Sequence, residues 1–181
     1  MKRVMIVGGP GSGKSTLALK LGEITGLPIH HMDHIHWKAG WVERPRPEKI
    51  AMSLEIHAKD RWILEGGLSA TYDDRVARCD TLIWLDVPMW LRLFRVLRRT
   101  FRYLGQTRPD LPDGCPEQFS GETVEFIRFI IRTRRTARNR ILRLRAEAPA
   151  HVTQVRLTTI PSVERYLATL SEELGGGAAE R

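Results

Sequence analysis

The sequence has little of what membrane-embedded, secreted or zinc-ribbon proteins need. None of its apolar runs approaches the roughly 20 residues required to cross a bilayer. The apolar stretch at residues 4–7 is short and gives way at once to glycines, unlike a signal peptide. The two cysteines, Cys79 and Cys115, stand far apart and outside any CxxC pair, which is neither a disulfide framework nor a zinc ribbon. We therefore expect a cytoplasmic protein without a membrane partner.

Lysine is absent from residues 90–145, although this segment is the most basic part of the chain. It contains 14 Arg against five Asp and Glu, a net charge of +9, whereas the whole chain carries +8. Guanidinium groups match phosphate oxygens in a bidentate manner, so an excess made of Arg alone favours phosphate recognition. The same field would attract a nucleic-acid backbone. Charge by itself does not separate a small phosphate ligand from a nucleic acid.

The order of predicted elements indicates one α/β domain. The length of 181 residues suits a single domain with a sizeable core. Short apolar runs predict strands at residues 4–7, 27–31, 61–64, 81–85 and 151–157. Helical patterns predict helices at residues 14–22, 47–59, 89–103, 122–146 and 161–174. This alternation predicts a five-stranded parallel sheet flanked by helices within residues 1–174, with irregular segments at 38–47 and 105–121 and a flexible tail at 175–181.

A glycine-rich loop follows the first predicted strand and opens the first predicted helix. Gly8, Gly13, Lys14 and Ser15 satisfy the pattern G-x-x-x-x-G-K-[ST] completely. Glycines let the backbone N–H groups of such a loop point at phosphates, Lys reaches the β- and γ-phosphates, and the Ser hydroxyl binds Mg²⁺. A chance match on a Gly-rich turn is the alternative. The motif predicts that Mg-ATP is bound by Gly8, Gly9, Pro10, Gly11, Ser12, Gly13, Lys14, Ser15 and Thr16.

The rest of the chain carries a series of short blocks in a characteristic order. They are Leu21-Gly22, His31-Met32-Asp33 with Trp37, Gly40-Trp41, Trp62 to Gly66 with Tyr72 and Arg75, Asp80 to Asp86, Arg95 with Arg98-Arg99, Arg108-Pro109-Asp110, and Gly114 to Glu117. With the glycine-rich loop, this order resembles the small P-loop kinases, which include adenylate, shikimate and gluconate kinases. It is most similar to the bacterial topology modulation proteins. The resemblance runs from residue 2 to about 170 and implies a three-layer P-loop NTPase fold with a helical lid.

The resemblance implies that arginines of a lid at about residues 89–121 fold over the ATP phosphates. Arg95, Arg98 and Arg99 are the matching positions, with Arg95 and Arg99 in catalytic roles and Arg98 binding the nucleotide. Positioned guanidinium groups stabilise the charge of a transferring phosphoryl group. A solvated basic helix face is the alternative. One further lid arginine is expected among Arg128, Arg132, Arg135 and Arg138, which would otherwise form a basic surface.

Two carboxylates are candidates for the acceptor and metal side of the site. Asp33 matches the aspartate that shikimate-kinase-like proteins place at the acceptor hydroxyl, where it orients the nucleophile or accepts its proton; the alternative is a helix N-cap. Glu65 ends the third predicted strand and is expected to hold a Mg²⁺-bound water. Residues 66–69 replace the Gly-x-Pro-Arg segment of adenylate kinases, which argues against AMP. Arg75 is then the candidate contact for an acceptor phosphate.

The segment after the second predicted strand is rich in His and Trp. Trp37 and Trp41 are expected to divide between the acceptor pocket and the core, and Trp37 is the candidate acceptor contact. The histidines invite a zinc hypothesis, but structural zinc sites need about four converging ligands, which this spacing does not favour. The members of the cluster are His30, His31, His34 and His36.

Two functions of different classes remain open from the sequence. The first is an ATP-dependent kinase acting on a nucleoside monophosphate or a small hydroxylated metabolite, with Mg²⁺ as cofactor. The second is a nucleotide-gated protein whose Arg-rich segment binds nucleic acid and affects DNA topology. The second is not favoured, because the segment lacks the mixture of Lys and interleaved aromatics typical of a single-strand groove. The sequence does not determine the oligomeric state, and we expect a monomer.

Overall fold

The computed structural model of the chain describes residues 1–176 and is built on a parallel sheet. The strands are β1 (Arg3–Gly8), β2 (Ile29–His31), β3 (Trp37–Lys38), β4 (Val42–Glu43), β5 (Trp62–Glu65), β6 (Thr81–Leu85) and β7 (Thr153–Leu157). The main sheet has five parallel strands in the order β2-β5-β1-β6-β7, while β3 and β4 form a separate antiparallel hairpin. The helices are α1 (Lys14–Thr25), α2 (Met32–His36), α3 (Arg46–His57), α4 (Tyr72–Arg78), α5 (Met89–Arg102), α6 (Gly121–Ala146) and α7 (Ile160–Gly176).

The core lies on both faces of the sheet, because alternate residues of the buried strands point to opposite sides. On one face, Met5 and Leu64 pack with Trp84 and with residues of α3, α4 and α6. On the other face, Ile6 and Ile83 pack with residues of α1 and α7. The three central strands, β1, β5 and β6, are mostly apolar because both faces are covered, whereas the edge strands β2 and β7 are more polar and partly exposed. This arrangement confirms the predicted α/β fold, a five-stranded parallel sheet between two layers of helices.

The register of the sheet brings the ends of three strands to one edge. Ile6 of β1 lies opposite Glu65 of β5, and Glu65 lies opposite His31 of β2. In open parallel sheets, ligands bind in the crevice outside these carboxyl ends. The glycine-rich loop follows β1 at the same edge, so Glu65 and His31 lie beside it.

The five strands of the main sheet are confirmed, but the short elements between them were not predicted. Residues 38–47 were expected to be irregular, whereas they contain most of a hairpin and the start of α3. The turn of this hairpin uses Gly40 in a left-handed conformation (φ 74°). Helices α2 and α4 have five and seven residues, too few to show a helical period in the sequence. Helix α7 continues through Gly176, and residues 177–181 of the predicted tail lie outside the described residues.

Across residues 1–176, no helix combines the length and the apolar character needed to cross a bilayer.

Candidate functional site

A cavity of about 1480 Å³ opens at the carboxyl edge of the sheet. Its walls come from the glycine-rich loop, the ends of β2 and β5, helices α5 and α6, and the irregular segment at residues 103–120. Most of the predicted site residues line it, and these are Gly8 to Thr16, Asp33, Trp37, Glu65, Arg95, Arg98 and Arg99. The fold therefore gathers into one space side chains that are up to about ninety positions apart in the chain.

The glycine-rich loop presents an uncapped helix end to this cavity. Gly13 is the N-cap of α1 in a left-handed conformation (φ 97°) that favours glycine, and no side chain caps the helix. The first turn of α1 therefore keeps backbone N–H groups and a partial positive charge for an anion. Within residues 1–176, the buried hydroxyl of Ser12 has no hydrogen-bond partner. Lys14 Nζ donates to the carbonyl of Gly9 at 3.3 Å. These features fit a chain of phosphate groups.

Helix α5 packs directly on the outside of the loop. Arg92 Nε donates to the carbonyl of Pro10 and Arg95 Nη1 to that of Ser12, both at 3.0 Å. A Cβ atom at Gly9 would collide with the Arg92 guanidinium, and one at Gly11 would collide with the Arg92 carbonyl. The two hydrogen bonds hold the carbonyls of Pro10 and Ser12 toward α5. The two collisions explain why glycine is needed at positions 9 and 11. The contact made by Arg92 was not predicted, because a basic residue on a helix gives no signal for the loop it touches.

Two carboxylates meet at the hydroxyl of Ser15. Ser15 Oγ lies 3.0 Å from Glu65 Oε1 and 3.1 Å from Asp110 Oδ2. His31 Nδ1 lies 2.9 Å from Glu65 Oε1. Burial favours the neutral form of Glu65, but the His31 hydrogen bond and the charge of Lys14 outweigh it and lower the pKa of this carboxyl. Burial also disfavours the charged form of His31. The hydrogen bond from His31 to Glu65 outweighs this effect and raises the His31 pKa. Glu65 is therefore an ionised carboxylate beside the phosphate loop.

Ser15 and Glu65 are the residues here that could hold Mg²⁺. In the described part of the chain, no three His, Cys, Asp or Glu side chains are grouped so that they would hold a metal ion by themselves. Mg²⁺ in nucleotide sites usually keeps several waters and takes its other oxygens from phosphates and one or two protein groups. The Ser15 hydroxyl, with an ionised carboxylate at 3.0 Å, matches that smaller requirement. The zinc alternative at the histidines gains nothing from the geometry, since His31 is engaged with Glu65.

Arg108 connects the irregular segment to both sides of the cavity. It is 5% exposed; its Nη1 donates to Asp110 Oδ2 at 2.9 Å and its Nε lies 2.7 Å from Glu117 Oε1. Its Nη2 lies 4.0 Å from Asp33 Oδ2, and Arg99 Nε lies 3.7 Å from the same Glu117 oxygen. The sequence predicts no individual roles for Arg108, Asp110 and Glu117. Their only signals were the length of the segment and its place among the blocks of the resemblance.

Asp33 faces the cavity with about half of its side chain exposed. The N-cap of α2 is His31, and no side chain caps that helix, so the N-cap alternative for Asp33 is wrong. Partial desolvation by the cavity walls, followed by the negative charge of Glu65, raises the pKa of the Asp33 carboxyl, although Lys14 and Arg108 act in the opposite direction. A carboxylate with a raised pKa is a better proton acceptor than an ordinary one.

Both tryptophan candidates line the cavity, whereas only one of the four arginine candidates on α6 does so. Trp37 and Trp41 both line the cavity, with ring centroids 5.4 Å apart in an edge-to-face arrangement, so the expectation that one of them would be core is wrong. The Trp41 indole N–H donates to the carbonyl of Pro116 at 2.9 Å and ties the hairpin to the irregular segment. Of the four arginines considered on α6, Arg132 lines the cavity, whereas Arg138 is paired with Asp86 at 3.2 Å.

Arg75 does not reach the cavity, which removes it as an acceptor contact. Its side chain is fully buried, and its guanidinium donates to the carbonyl of Gly66 at 2.8 Å and to Nε2 of His57 at 3.2 Å. Because Nε2 of His57 accepts this bond, Nδ1 carries the proton and donates to Asp74 at 2.7 Å. Arg75 therefore supports the Gly66–Gly67 corner of the cavity from behind.

His57 makes the stability of the fold sensitive to acid. Burial lowers its pKa from 6.5 to about 4, so below pH 6.5 the unfolded chain binds a proton that the folded chain does not. The sign follows from linkage: stability is complete above pH 6.5 and is lost as the pH falls toward 4. We expect the His57 contribution to the free energy of unfolding to fall by about 2 kcal/mol between pH 7 and pH 5.

Urea unfolding of wild type and His57→Gln at several pH values measures this contribution as the difference between the two stability curves. His151→Gln, at an exposed histidine, is the matched control and should leave the curve of the wild type unchanged. A constant difference between wild type and His57→Gln from pH 7 to pH 5 would contradict the prediction.

Comparison with known proteins supports the fold and leaves the activity open. No family model matches the chain. It is 28% identical over 109 residues to the uncharacterized protein YqaC of Bacillus subtilis (strain 168), a match that covers 58% of this chain and only 60% of the relative. The chain thus spans only part of the length of this relative, whose name assigns no activity.

Solved structures of shikimate kinases align with nearly the whole chain. The kinase from Acinetobacter baumannii, in complex with shikimate, superposes with a TM-score of 0.57 at 16% identity, covering 98% of this chain and 95% of that one. The enzyme from Bacteroides thetaiotaomicron gives 0.57 at 20% identity, covering 96% and 98%. The enzyme from Aquifex aeolicus gives 0.52 at 17% identity, covering 99% of both chains. The chain therefore has the P-loop kinase fold seen in shikimate kinases, while the similarity to topology modulation proteins stays a prediction.

Proposed function

We propose that this protein is an ATP-dependent kinase that transfers the γ-phosphoryl group of Mg-ATP to a small-molecule acceptor. One observation carries the proposal: a single cavity joins the uncapped N-terminus of α1 and Lys14 to the lid arginines on one side and to Asp33 and Glu65 on the other. Phosphoryl transfer needs positioning and electrostatic stabilisation more than covalent chemistry. This cavity holds cationic groups for phosphates and a carboxylate for an acceptor.

In this proposal the glycine-rich loop and the lid hold the phosphates between them. The N–H groups at the start of α1 bind phosphate oxygens, and Lys14 reaches the β- and γ-phosphates. Arg95, Arg98 and Arg99 line the facing wall and stabilise the charge that spreads over the transferring group. The segment at residues 103–120 covers this region and reduces hydrolysis by limiting the access of water.

Ser15 and Glu65 would hold the magnesium ion, Ser15 by direct coordination and Glu65 through a bound water. When bound, the metal would neutralise part of the phosphate charge. The two protein groups lie 3.0 Å apart, and the bond from His31 keeps the Glu65 carboxylate oriented. His31 therefore acts as a positioning residue for Glu65, a role that parallels outer-shell hydrogen bonds at metal ligands.

Asp33 is the group that would orient the acceptor and accept its proton. Its carboxylate lies on the cavity wall near Arg108, and its raised pKa suits a proton acceptor. A carboxylate in this position favours a hydroxyl nucleophile. The burial of Arg75 removes the contact that the sequence offered for an acceptor phosphate. Small hydroxylated metabolites are therefore better supported than nucleoside monophosphates as acceptors.

The nucleic-acid alternative has less support from the arrangement of arginines. Arg92 and Arg95 are engaged with the glycine-rich loop, and Arg108 is buried among carboxylates. Arg138 of the same segment is paired with Asp86. Much of the basic charge of the segment is thus directed at the cavity or neutralised. Salt-dependent DNA binding that is lost in Arg98→Ala plus Arg99→Ala would restore the alternative.

A panel of acceptors tests the kinase proposal. ADP release from Mg-ATP would be measured with hydroxylated metabolites, nucleosides and nucleoside monophosphates, one at a time. We expect one class of hydroxylated acceptor to stimulate ADP release at least about tenfold over the acceptor-free rate, because Asp33 and the lid act only when an acceptor is bound. Asp33→Asn should abolish the stimulation while leaving nucleotide binding intact. Slow ADP release that no acceptor changes would contradict the proposal.

A further inference from the structure

Asp110 carries a carboxylate from the irregular segment into the phosphate site. Its Oδ2 accepts from the hydroxyl of Ser15 at 3.1 Å and from Arg108 Nη1 at 2.9 Å. Asp110 and Ser15 are 95 positions apart in the chain. The side chain of Asp110 is 17% exposed, so it is directed inward. The proposed function gives it no role.

The hydroxyl of Ser15 is shared by two carboxylates. Ser15 Oγ is within hydrogen-bond distance of Glu65 on one side and of Asp110 on the other. A hydroxyl has one proton and can donate to only one of them at a time. Two carboxylates that meet at one oxygen repel each other unless a cation lies between them or close by. The hydroxyl in question is the one that would coordinate Mg²⁺, so a metal at this position would meet both carboxylates.

Arg108 holds the Asp110 carboxylate in this orientation. Its Nη1 binds Asp110, while its Nε faces Glu117 at 2.7 Å in the same segment. Arg108 is 5% exposed, so this cation is fixed by its surroundings. A carboxylate that is hydrogen-bonded to a fixed cation is oriented before the metal arrives, as is usual for carboxylates in metal sites. The contact with Ser15 is therefore supported by a built network.

We propose that Asp110 is a residue of the magnesium shell, carried by the lid, which completes the site begun by Ser15 and Glu65. The proposal rests on the proposed function, because the phosphates of the nucleotide supply the remaining oxygens. It follows that a bound metal nucleotide would hold the lid closed, because Ser15 beside the glycine-rich loop and Asp110 in the segment at residues 103–120 would both be ligands of the ion. Metal affinity and lid order are then linked, and each strengthens the other.

Two measurements on the full chain test this link without an activity assay. The first is the affinity for Mn²⁺ in the presence of ADP, followed by electron paramagnetic resonance of the free ion. We expect Asp110→Asn to weaken it about 10- to 100-fold, the range found when a supporting carboxylate is lost from a metal site. The second is hydrogen exchange of residues 105–120 with ADP, with and without Mg²⁺. The metal should slow exchange in wild type and leave it unchanged in Asp110→Asn.

Asp113→Asn is the matched control, because Asp113 lies in the same segment and is exposed. It should behave like wild type in both measurements. An Asp110→Asn affinity equal to or higher than that of wild type would overturn the role of Asp110 and leave the kinase proposal standing. A wild-type chain that binds no metal nucleotide would overturn both. If Asp110→Asn does not fold, Asp110→Glu replaces it: a carboxylate moved by one methylene should weaken Mn²⁺ binding several-fold, and unchanged binding would overturn the proposal.

Discussion

Lys14→Met is expected to lower phosphoryl transfer by about a thousandfold or more. Lys14 lines the cavity at the start of α1, and its positive charge acts on the carboxylates of both Asp33 and Glu65. Removing one preorganised donor from a developing charge typically costs a factor of about 100 to 1,000, and Lys14 would contact two phosphates at once. The charge of Lys14 also offsets the repulsion between Asp33 and Glu65, so Lys14→Met would in addition disturb the orientation of these two carboxylates. Single-turnover transfer from ATP to the acceptor identified by the panel is the measurement.

The matched control for Lys14 is Lys59→Met. Lys59 is exposed just after α3 and does not line the cavity, so the same change of side chain should leave transfer within a factor of two of wild type. The melting temperature of Lys14→Met should also stay close to that of wild type, because Lys14 makes one long hydrogen bond, of 3.3 Å, in the absence of nucleotide. Near-normal transfer by Lys14→Met would remove the glycine-rich loop from the mechanism.

The fold and the phosphate loop could be predicted because their signals are local. The three central strands, β1, β5 and β6, are short apolar runs that are buried on both faces, and the loop motif spans eight consecutive residues. Glu65 was found in the same way, since a polar residue at the end of a buried strand faces the crevice. Nothing beyond the neighbouring residues was required for these predictions.

The lid network could not be predicted because its contacts join an irregular segment to distant parts of the chain. Asp110 meets Ser15 across 95 positions, and Trp41 donates to Pro116 across 75. No periodicity describes residues 103–120, so their side chains cannot be assigned to a face. The two β-bridges in this segment, Leu104 with Glu117 and Thr107 with Pro116, are isolated pairs rather than strands. The residues that complete the candidate site are thus those whose positions depend on tertiary contacts.

Helix α5 exposes some of its apolar side chains while some of its arginines contact the rest of the protein. An amphipathic helix usually turns its apolar face to the core, but here arginines contact the glycine-rich loop while Trp90 is 69% and Phe94 57% exposed. The reversal has a cost in exposed apolar surface. It brings the Arg92 and Arg95 guanidinium groups to the backbone of the glycine-rich loop, and Arg95, Arg98 and Arg99 line the cavity. Departures from local rules are expected at functional sites.

Arg75 is the residue for which sequence and structure disagree most, because a fully buried arginine is rare and its sequence neighbours do not signal it. We expect Arg75→Met to lower the free energy of unfolding by about 3 to 5 kcal/mol. The substitution leaves the buried Gly66 carbonyl without its donor, which costs about 1 to 3 kcal/mol, and removes the bonds to His57 Nε2 and Thr71 Oγ1, which add about 0.5 to 1.5 kcal/mol each. For a chain of this length, the melting temperature should fall by roughly 6 to 20 °C.

Thermal and urea unfolding of Arg75→Met, with Arg78→Met as the control, measure this effect. Arg78 lies on the same helix, is half exposed, and pairs with Asp74 at 3.1 Å, so its loss should cost less than about 1 kcal/mol. The alternative role for Arg75, as a contact for an acceptor phosphate, makes the opposite prediction: a raised KM for the acceptor and an unchanged melting temperature. The two roles also differ in Arg75→Lys, because a single ammonium group would attract a phosphate but cannot serve both the Gly66 carbonyl and His57 with the geometry of a guanidinium fork. A stable Arg75→Met variant with weak acceptor binding would therefore return Arg75 to the site, whereas an unstable variant with a normal acceptor KM would establish that it supports the site from within the core.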